Sequence, residues 1–381
     1  MKRILKEIKD IFWRCYFYRY DYFCGSNTIW ETIQVFWFIV KNFNFLVRGK
    51  YIKEYESRIA KETGFKYAVS FGAGRQALFA ILRGIGLKDD PVYRPVQLQT
   101  YTCKAVPQAI LAAGGDPDYV DIDSETYCMN LENMYPILWA IIYQHTFGNW
   151  GDYYGVAEKA KEFGIPLIVD MAHTIRNFRY QTPPLAAFIS TDHTKFINTN
   201  GGGVALTNDK DLYWPMRGIQ EAAAVRTKRW ALWCALTFIV EVIMTHPRLY
   251  WFMKPIRHIM NRLGMFSFSK EEGPKPAQWT NVQAYIGLLQ LDKLEKNKAH
   301  RQELCDSPYA LRCTIERNVE LPDKYFTRGE WFNQPVFGGE GGYISGSCPN
   351  AERACKEVGT IPIHPRVKAK HLRKWGWEGC K

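Results

Sequence analysis

The sequence predicts an α/β fold, a parallel sheet covered by helices on both faces. Three observations predict it. Short apolar runs of strand length recur at 67–70, 92–96, 118–121, 140–144 and 166–170; helix-patterned stretches fall between them; and several strands end on polar residues, Ser70, Gln144 and Asp170 among them. At 381 residues the chain is long enough for two domains or for one large domain with additions.

In chain order, 54–62 carries the first helical pattern and 67–70 is a short strand. Residues 74–83 form a helix that opens on glycine, and 92–96 is the next strand. A helix over 102–113, a strand at 118–121, a strand at 140–144, a helix over 153–163 and a buried strand at 166–170 complete the alternation. Ligands of such sheets gather at the carboxyl ends of the strands. The turn at 70–78 is then a strand-to-helix entry whose N–H groups can hold a phosphate.

The net charge of +12 is carried by two segments, 1–50 with +5 and 226–270 with +7, and the rest of the chain is neutral. A nucleic-acid-binding core is therefore disfavoured. Both basic segments are rich in aromatic residues. The run at 11–24 interleaves Phe, Trp and Tyr with Arg14 and Arg19, and 29–47 is apolar but punctuated by Glu31, Lys41 and Asn residues. Residues 230–245 are too short to cross a bilayer and contain Glu241, and 248–262 mixes aromatic and cationic residues. We expect amphipathic helices at the cytoplasmic face of the membrane, peripheral or monotopic; the alternative is that both segments pack on each other or on a partner subunit. The chain divides into 1–50, a basic aromatic segment; 51–225, a large α/β domain; 226–272, a basic apolar insertion; and 273–381, a small C-terminal domain. Ten scattered cysteines without CxxC or Cys/His zinc spacing read as reduced thiols, and no metal site is expected. No secretory signal fits the N-terminal residues.

The stretch 190–209 carries the chemistry. It places Lys195 ahead of Gly201, Gly202 and Gly203, which allow positive φ and close backbone approach. Alone, this stretch fits an exposed loop lysine before a hairpin. It is not a Walker loop, because the lysine precedes the glycines.

Together, the motifs resemble the DegT/DnrJ/EryC1/StrS family of pyridoxal-phosphate aminotransferases, over 55–209 and again over 278–365. Gly72-Ala-Gly-Arg-Gln-Ala-Leu78 stands where the family has its phosphate turn, and Tyr101 where an aromatic residue stacks on the cofactor ring. His145-Thr-Phe-Gly148 with Asp152, Val169-Asp-Met-Ala-His-Thr174, Ser190 five residues before Lys195, 281–290 and Ile361-Pro-Ile-His-Pro365 match further family segments in order. Arg75 replaces a threonine of the phosphate turn, and Asn200-Gly-Gly-Gly203 lacks the glutamate of the family's Gly-Glu-Gly-Gly.

The resemblance implies fold type I, with a three-layer α/β/α large domain and a smaller α+β domain, and a homodimer with shared sites. It implies pyridoxal 5'-phosphate (PLP) bound by Lys195, with Asp170 beside the pyridinium nitrogen. Asp170 alone also reads as a strand-end cap. His173 lies against the ring or its phenolic oxygen, or is a structural histidine. Ala73, Gly74, Arg75, Gln76 and Ser190 are the expected phosphate contacts, and Tyr101 stacks on the ring. The implied reaction moves an amino group from glutamate or glutamine to a keto group of a sugar or lipid-linked sugar in glycoconjugate biosynthesis, and the basic aromatic segments suggest a lipid-linked acceptor or a membrane-bound pathway. Two rivals are a PLP enzyme acting on a membrane-lipid carbonyl and a catalytically silent membrane-associated scaffold.

Overall fold

The computed structural model describes residues 20, 24–89, 91–178, 182–262, 273–305, 307, 309–316, 334–336 and 342–370. Most of the aromatic run at 11–24 lies outside them.

Seven strands form the main sheet: β1 (Tyr67–Phe71), β2 (Pro95–Gln99), β3 (Asp116–Val120), β4 (Ala140–Gln144), β5 (Leu167–Asp170), β6 (Ala186–Ser190) and β7 (Gly203–Thr207). Their order is β1-β7-β6-β5-β4-β2-β3. The sheet is mixed, which corrects the parallel expectation: β7 runs antiparallel to both its neighbours, while β6, β5, β4, β2 and β3 are parallel. The reason is local. β6 and β7 are consecutive and adjacent, and the connection between them contains no crossover helix, so the chain must return antiparallel.

Alternation along the strands divides the core into two layers. Ile141 and Tyr143 of β4 face one way, with Val169, Ile189, Val204 and Leu206. They pack under α2 (Tyr51–Thr63), α5 (Tyr153–Glu162) and α9 (Asn281–Asp292). Ile142, Ile168, Phe188 and Ala205 face the other way, under α3 (Gly74–Gly84), α4 (Ala105–Ala113) and α6 (Lys210–Ala222). The α/β/α layering follows from this period of two.

One expected element that shifts is β2. It begins at Pro95 rather than at residue 92, and its polar Gln97 and Gln99 hid it from an apolar reading. Both glutamines are buried and bonded: Gln97 Nε2 donates to Asp118 Oδ2 at 3.0 Å, and Gln99 Nε2 to Thr146 Oγ1 at 2.8 Å. A second, two-stranded antiparallel sheet joins β8 (Arg312–Glu316) to β9 (Val358–Pro362), which follows the helix Pro349–Glu357 directly.

The basic apolar stretches become α1 (Ile29–Lys41), α7 (Lys228–Met244) and α8 (Tyr250–Arg262). No helix among the described residues is long and apolar enough to cross a membrane. One face of α7 is buried: Ala231, Ala235 and Phe238 pack with Val35 and Phe38 of α1 and with Val282 and Ile286 of α9. The opposite faces remain open, with Trp30, Phe36 and Trp37 of α1, Leu236 and Ile243 of α7, and Trp251 and Phe252 of α8 all exposed. Seven described cysteines are free thiols, but Cys313 is disulfide-bonded, which corrects the expectation of a fully reduced set.

Candidate active site

Lys195 lies in the connection between β6 and β7, at the carboxyl end of β6. This connection is tied down along its length. Thr199 donates from its backbone to the Thr191 carbonyl at 2.9 Å and from its hydroxyl to the Gly201 carbonyl at 2.7 Å. Gln283 of α9 donates to the same Gly201 carbonyl at 2.8 Å, and the Lys195 N–H to the Asp192 carbonyl at 2.9 Å.

Two of the three glycines serve close packing, and Gly201 serves a φ of +103°. A Cβ on Gly203 would stand 2.4 Å from both Cα and N of Gly74, and one on Gly202, whose φ is +128°, would stand 2.5 Å from the Trp279 ring nitrogen. The glycine turn therefore rests on the first residues of α3, where Ala73 bridges Gly202. Ser190, at the end of β6, backs the same place: a Cβ on Gly74 would lie 3.0 Å from Ser190 Cβ. No side chain caps the N-terminus of α3 at Ala73.

Asp170 ends β5 and is buried. Its Oδ1 accepts from the Ala172 N–H at 2.7 Å. Burial raises its carboxyl from 3.8 to about 6, against the opposing pull of that N–H and of Lys195. Burial likewise lowers the Lys195 ammonium below its ordinary value; Cys103, Asp170 and Asp192 oppose the change and Arg312 adds to it. His173 is buried and held well below the ordinary histidine value, by burial first and then by Lys195 and Arg312. Its Nδ1 accepts from the Phe147 N–H at 3.2 Å, so the ring is neutral with its proton on Nε2.

Phe147 has a φ of +54°, rare for a residue with a Cβ. Its ring stacks on His173 at 5.8 Å between centroids and meets Tyr101 edge-on at 6.1 Å. Tyr101, just past the end of β2, is buried, and its carbonyl accepts from Gln99 and Gln144. Asp170, His173 and Lys195 thus come together at the sheet's rim, with Tyr101 joined to them through Phe147. Gly74 and Ser190 form a second, adjoining place.

Two expected phosphate contacts are directed elsewhere. Gln76 accepts from the Ala277 N–H at 3.0 Å and donates to the Gly273 carbonyl at 3.1 Å, so its amide holds the 273–277 segment rather than an anion. The Arg75 guanidinium donates to Gln108 of α4. The His145 segment also divides. His145 donates from Nδ1 to the Asn149 carbonyl at 3.0 Å inside an aromatic cluster, and burial lowers it to about 3, while Asp152 caps α5. Arg312 was missed, although it is buried at the start of β8 and its charge acts on Lys195, His173 and Arg301. Its one signal in the sequence is an arginine inside the run 310–315, whose other residues are apolar except Thr314. It lines a small cavity with Thr194, Lys195, Arg301 and His364.

Residues 31–245, more than half the chain, match the DegT/DnrJ/EryC1/StrS aminotransferase family. The chain belongs to this family. Among curated relatives, a GDP-perosamine synthase of Escherichia coli O157:H7 is 31% identical over 176 residues, covering 44% of this chain and 47% of that protein. A GDP-perosamine synthase of Caulobacter vibrioides is 27% identical over 266 residues, covering 67% and 60%. The chain thus spans about half the length of these curated relatives. An aminotransferase structure from Psychrobacter cryohalolentis shares the fold with a TM-score of 0.67 at 16% identity, covering 94% of this chain and 96% of that one.

DegT/DnrJ/EryC1/StrS aminotransferases use PLP. The residues present fit it. A buried carboxyl stays lifted to about 6 despite the pull of Lys195, a lysine is depressed by burial, and the uncapped start of α3 lies against Ser190, where a Cβ on Gly74 would stand a tight 3.0 Å from Ser190 Cβ.

Proposed function

We propose that this family member is a PLP-dependent sugar aminotransferase, moving an amino group from glutamate or glutamine to a keto group of a nucleotide-linked or lipid-linked sugar. The observation that carries the reading is the convergence of Lys195, Asp170 and His173 in one buried place at the ends of β5 and β6. The curated relatives named as perosamine synthases support a sugar as acceptor.

When bound, PLP supplies an electron sink for the bond broken at the donor's α-carbon. The chain's own residues then divide the work. Lys195, with its ammonium destabilised by burial, holds the cofactor and takes up and returns the α-proton. Asp170 would hold the ring nitrogen protonated, which would relieve the cost of its own buried charge. Neutral His173 and Tyr101 would hold the ring, and the main chain of Ala73 and Gly74 with the Ser190 hydroxyl would receive the phosphate. A homodimer with shared sites completes the pocket.

The same reading places the enzyme at the cytoplasmic membrane surface. The exposed aromatic faces of α1 and α8 support this, as do the cations beside them: Lys228 lies 3.7 Å from the centroid of the Phe43 ring, and Lys254 and Arg257 lie on α8.

The test is spectroscopic. Purified protein incubated with PLP should gain a visible absorbance band that glutamate or glutamine bleaches and a keto sugar restores. Screening nucleotide sugars against lipid-linked ketones identifies the acceptor. Protein that takes up no PLP would overturn the reading.

A further inference from the structure

Residues 193–208, which carry Lys195 and the glycine turn, contain no acidic side chain. A carboxylate nevertheless reaches this stretch from α7. Glu241 is 1% exposed, on a helix whose other buried neighbours are mostly apolar. It accepts from Asn198 Nδ2 at 2.9 Å and from the Gly25 N–H at 2.6 Å. Asn198 passes the constraint on, because its Oδ1 accepts from the Asn200 N–H at 2.9 Å. Asn200 is itself held by α7: its carbonyl accepts from the Cys234 thiol at 3.1 Å. The fit is close on every side. A Cβ on Gly25 would stand 2.2 Å from Asn198 Nδ2, 2.5 Å from Glu241 Oε1 and 2.8 Å from the His193 carbonyl.

An isolated buried carboxylate is costly, and a helix that only needed to pack would carry a leucine here. Two donors, one from the Lys195 connection and one from the chain before α1, account for its presence. The apolar insertion is thereby linked directly to the chemistry.

We propose that Glu241 is a positioning residue for Lys195, fixing the 193–200 connection through Asn198. The inference rests on Lys195 being the cofactor-bearing lysine.

Its test uses the full chain without cofactor. Acetic anhydride labelling of Lys195, followed by peptide mass across pH, reads the amine's protonation, while amide hydrogen exchange reads the backbone at 193–203. In Glu241→Ala, the labelling midpoint should rise toward an ordinary lysine by about one pH unit as the connection opens to water. Exchange at 193–203 should quicken about tenfold while 140–144 and 167–170 hold their rates. Glu241→Gln, which retains one acceptor oxygen, should fall between. If Glu241→Ala fails to fold, Asn198→Ala removes the same link from the other side. An unchanged midpoint, or exchange that quickens equally throughout the chain, would overturn the proposal. The aminotransferase reading fails separately, if the wild-type chain cannot be fixed to PLP at Lys195 by borohydride reduction.

Discussion

Two buried carboxylates reach the Lys195 connection from different elements, and they are provided for differently. Glu241, on α7, accepts from two N–H donors, a side-chain amide and a backbone amide. Asp170, at the end of β5, accepts from the single N–H of Ala172, and burial leaves it lifted to about 6. The first is satisfied by the protein and holds backbone in place. The second is left short of a partner, as a group meant to receive a cation would be. Burial alone therefore does not distinguish these two acids; the number of donors the fold supplies does.

The largest expected effect removes the group that both acids serve. Lys195→Ala should abolish the visible band and lower turnover about a thousandfold or more, with little change in melting temperature. A variant that keeps its band and rate would place the chemistry elsewhere.

Asp170→Asn sharpens the contrast, because activity and stability should move in opposite directions. Turnover should fall by roughly two orders of magnitude as the ring nitrogen loses its carboxylate. The cofactor-free protein should gain stability above pH 6. The sign follows from the raised value: the folded state holds the Asp170 proton up to about pH 6, the unfolded chain releases it near 3.8, so the wild type loses stability as pH rises between them. The difference corresponds to roughly 3 kcal/mol. Urea unfolding at pH 4 and pH 7 reads it, and a variant that gains nothing at pH 7 would count against the assignment.

A third buried acid supplies the structural extreme. Glu56 on α2 accepts from the Ser70 N–H and hydroxyl and pairs with Arg217 at 2.7 Å. Arg217→Ala leaves that carboxylate buried without its cation, at a cost of about 2–4 kcal/mol in urea unfolding. PLP uptake should survive at temperatures where the variant is folded.

The smallest effect on stability belongs to the outer face of α1. Replacing the half-exposed Phe36 and Trp37 with serine should change stability by less than about 0.5 kcal/mol each. Cosedimentation with anionic liposomes should fall severalfold. Undiminished binding would leave the apolar face to a protein partner. Deleting 226–270 would be a poor test, since α7 is part of the packed core.

Much of the fold was legible because the strands of a covered sheet are apolar and short. Ile141 and Ile142 in β4 and Ile168 and Val169 in β5 announce themselves, and the glycine-opened α3 needed no more than its turn. β2 does not read as a strand at 95–99 because its two buried glutamines bond to Asp118 and Thr146 rather than contribute apolar surface. In the site, Lys195, Asp170 and His173 could be read from local motifs at strand ends. Arg312 could not, since its charge reaches Lys195 from β8, more than a hundred residues later in the chain.

By itself, then, the sequence determined the alternation of strands and helices, the family motifs and the lysine that stands among them, because each is written in short stretches of residue type. Tertiary structure alone decided what the polar residues face. It turned the glutamate that interrupts an apparent membrane segment inward to Asn198, committed Gln76 to the 273–277 main chain, and left Asp170 with one donor. Hydrogen-bond partners far apart in sequence are set by packing, and no local pattern records them.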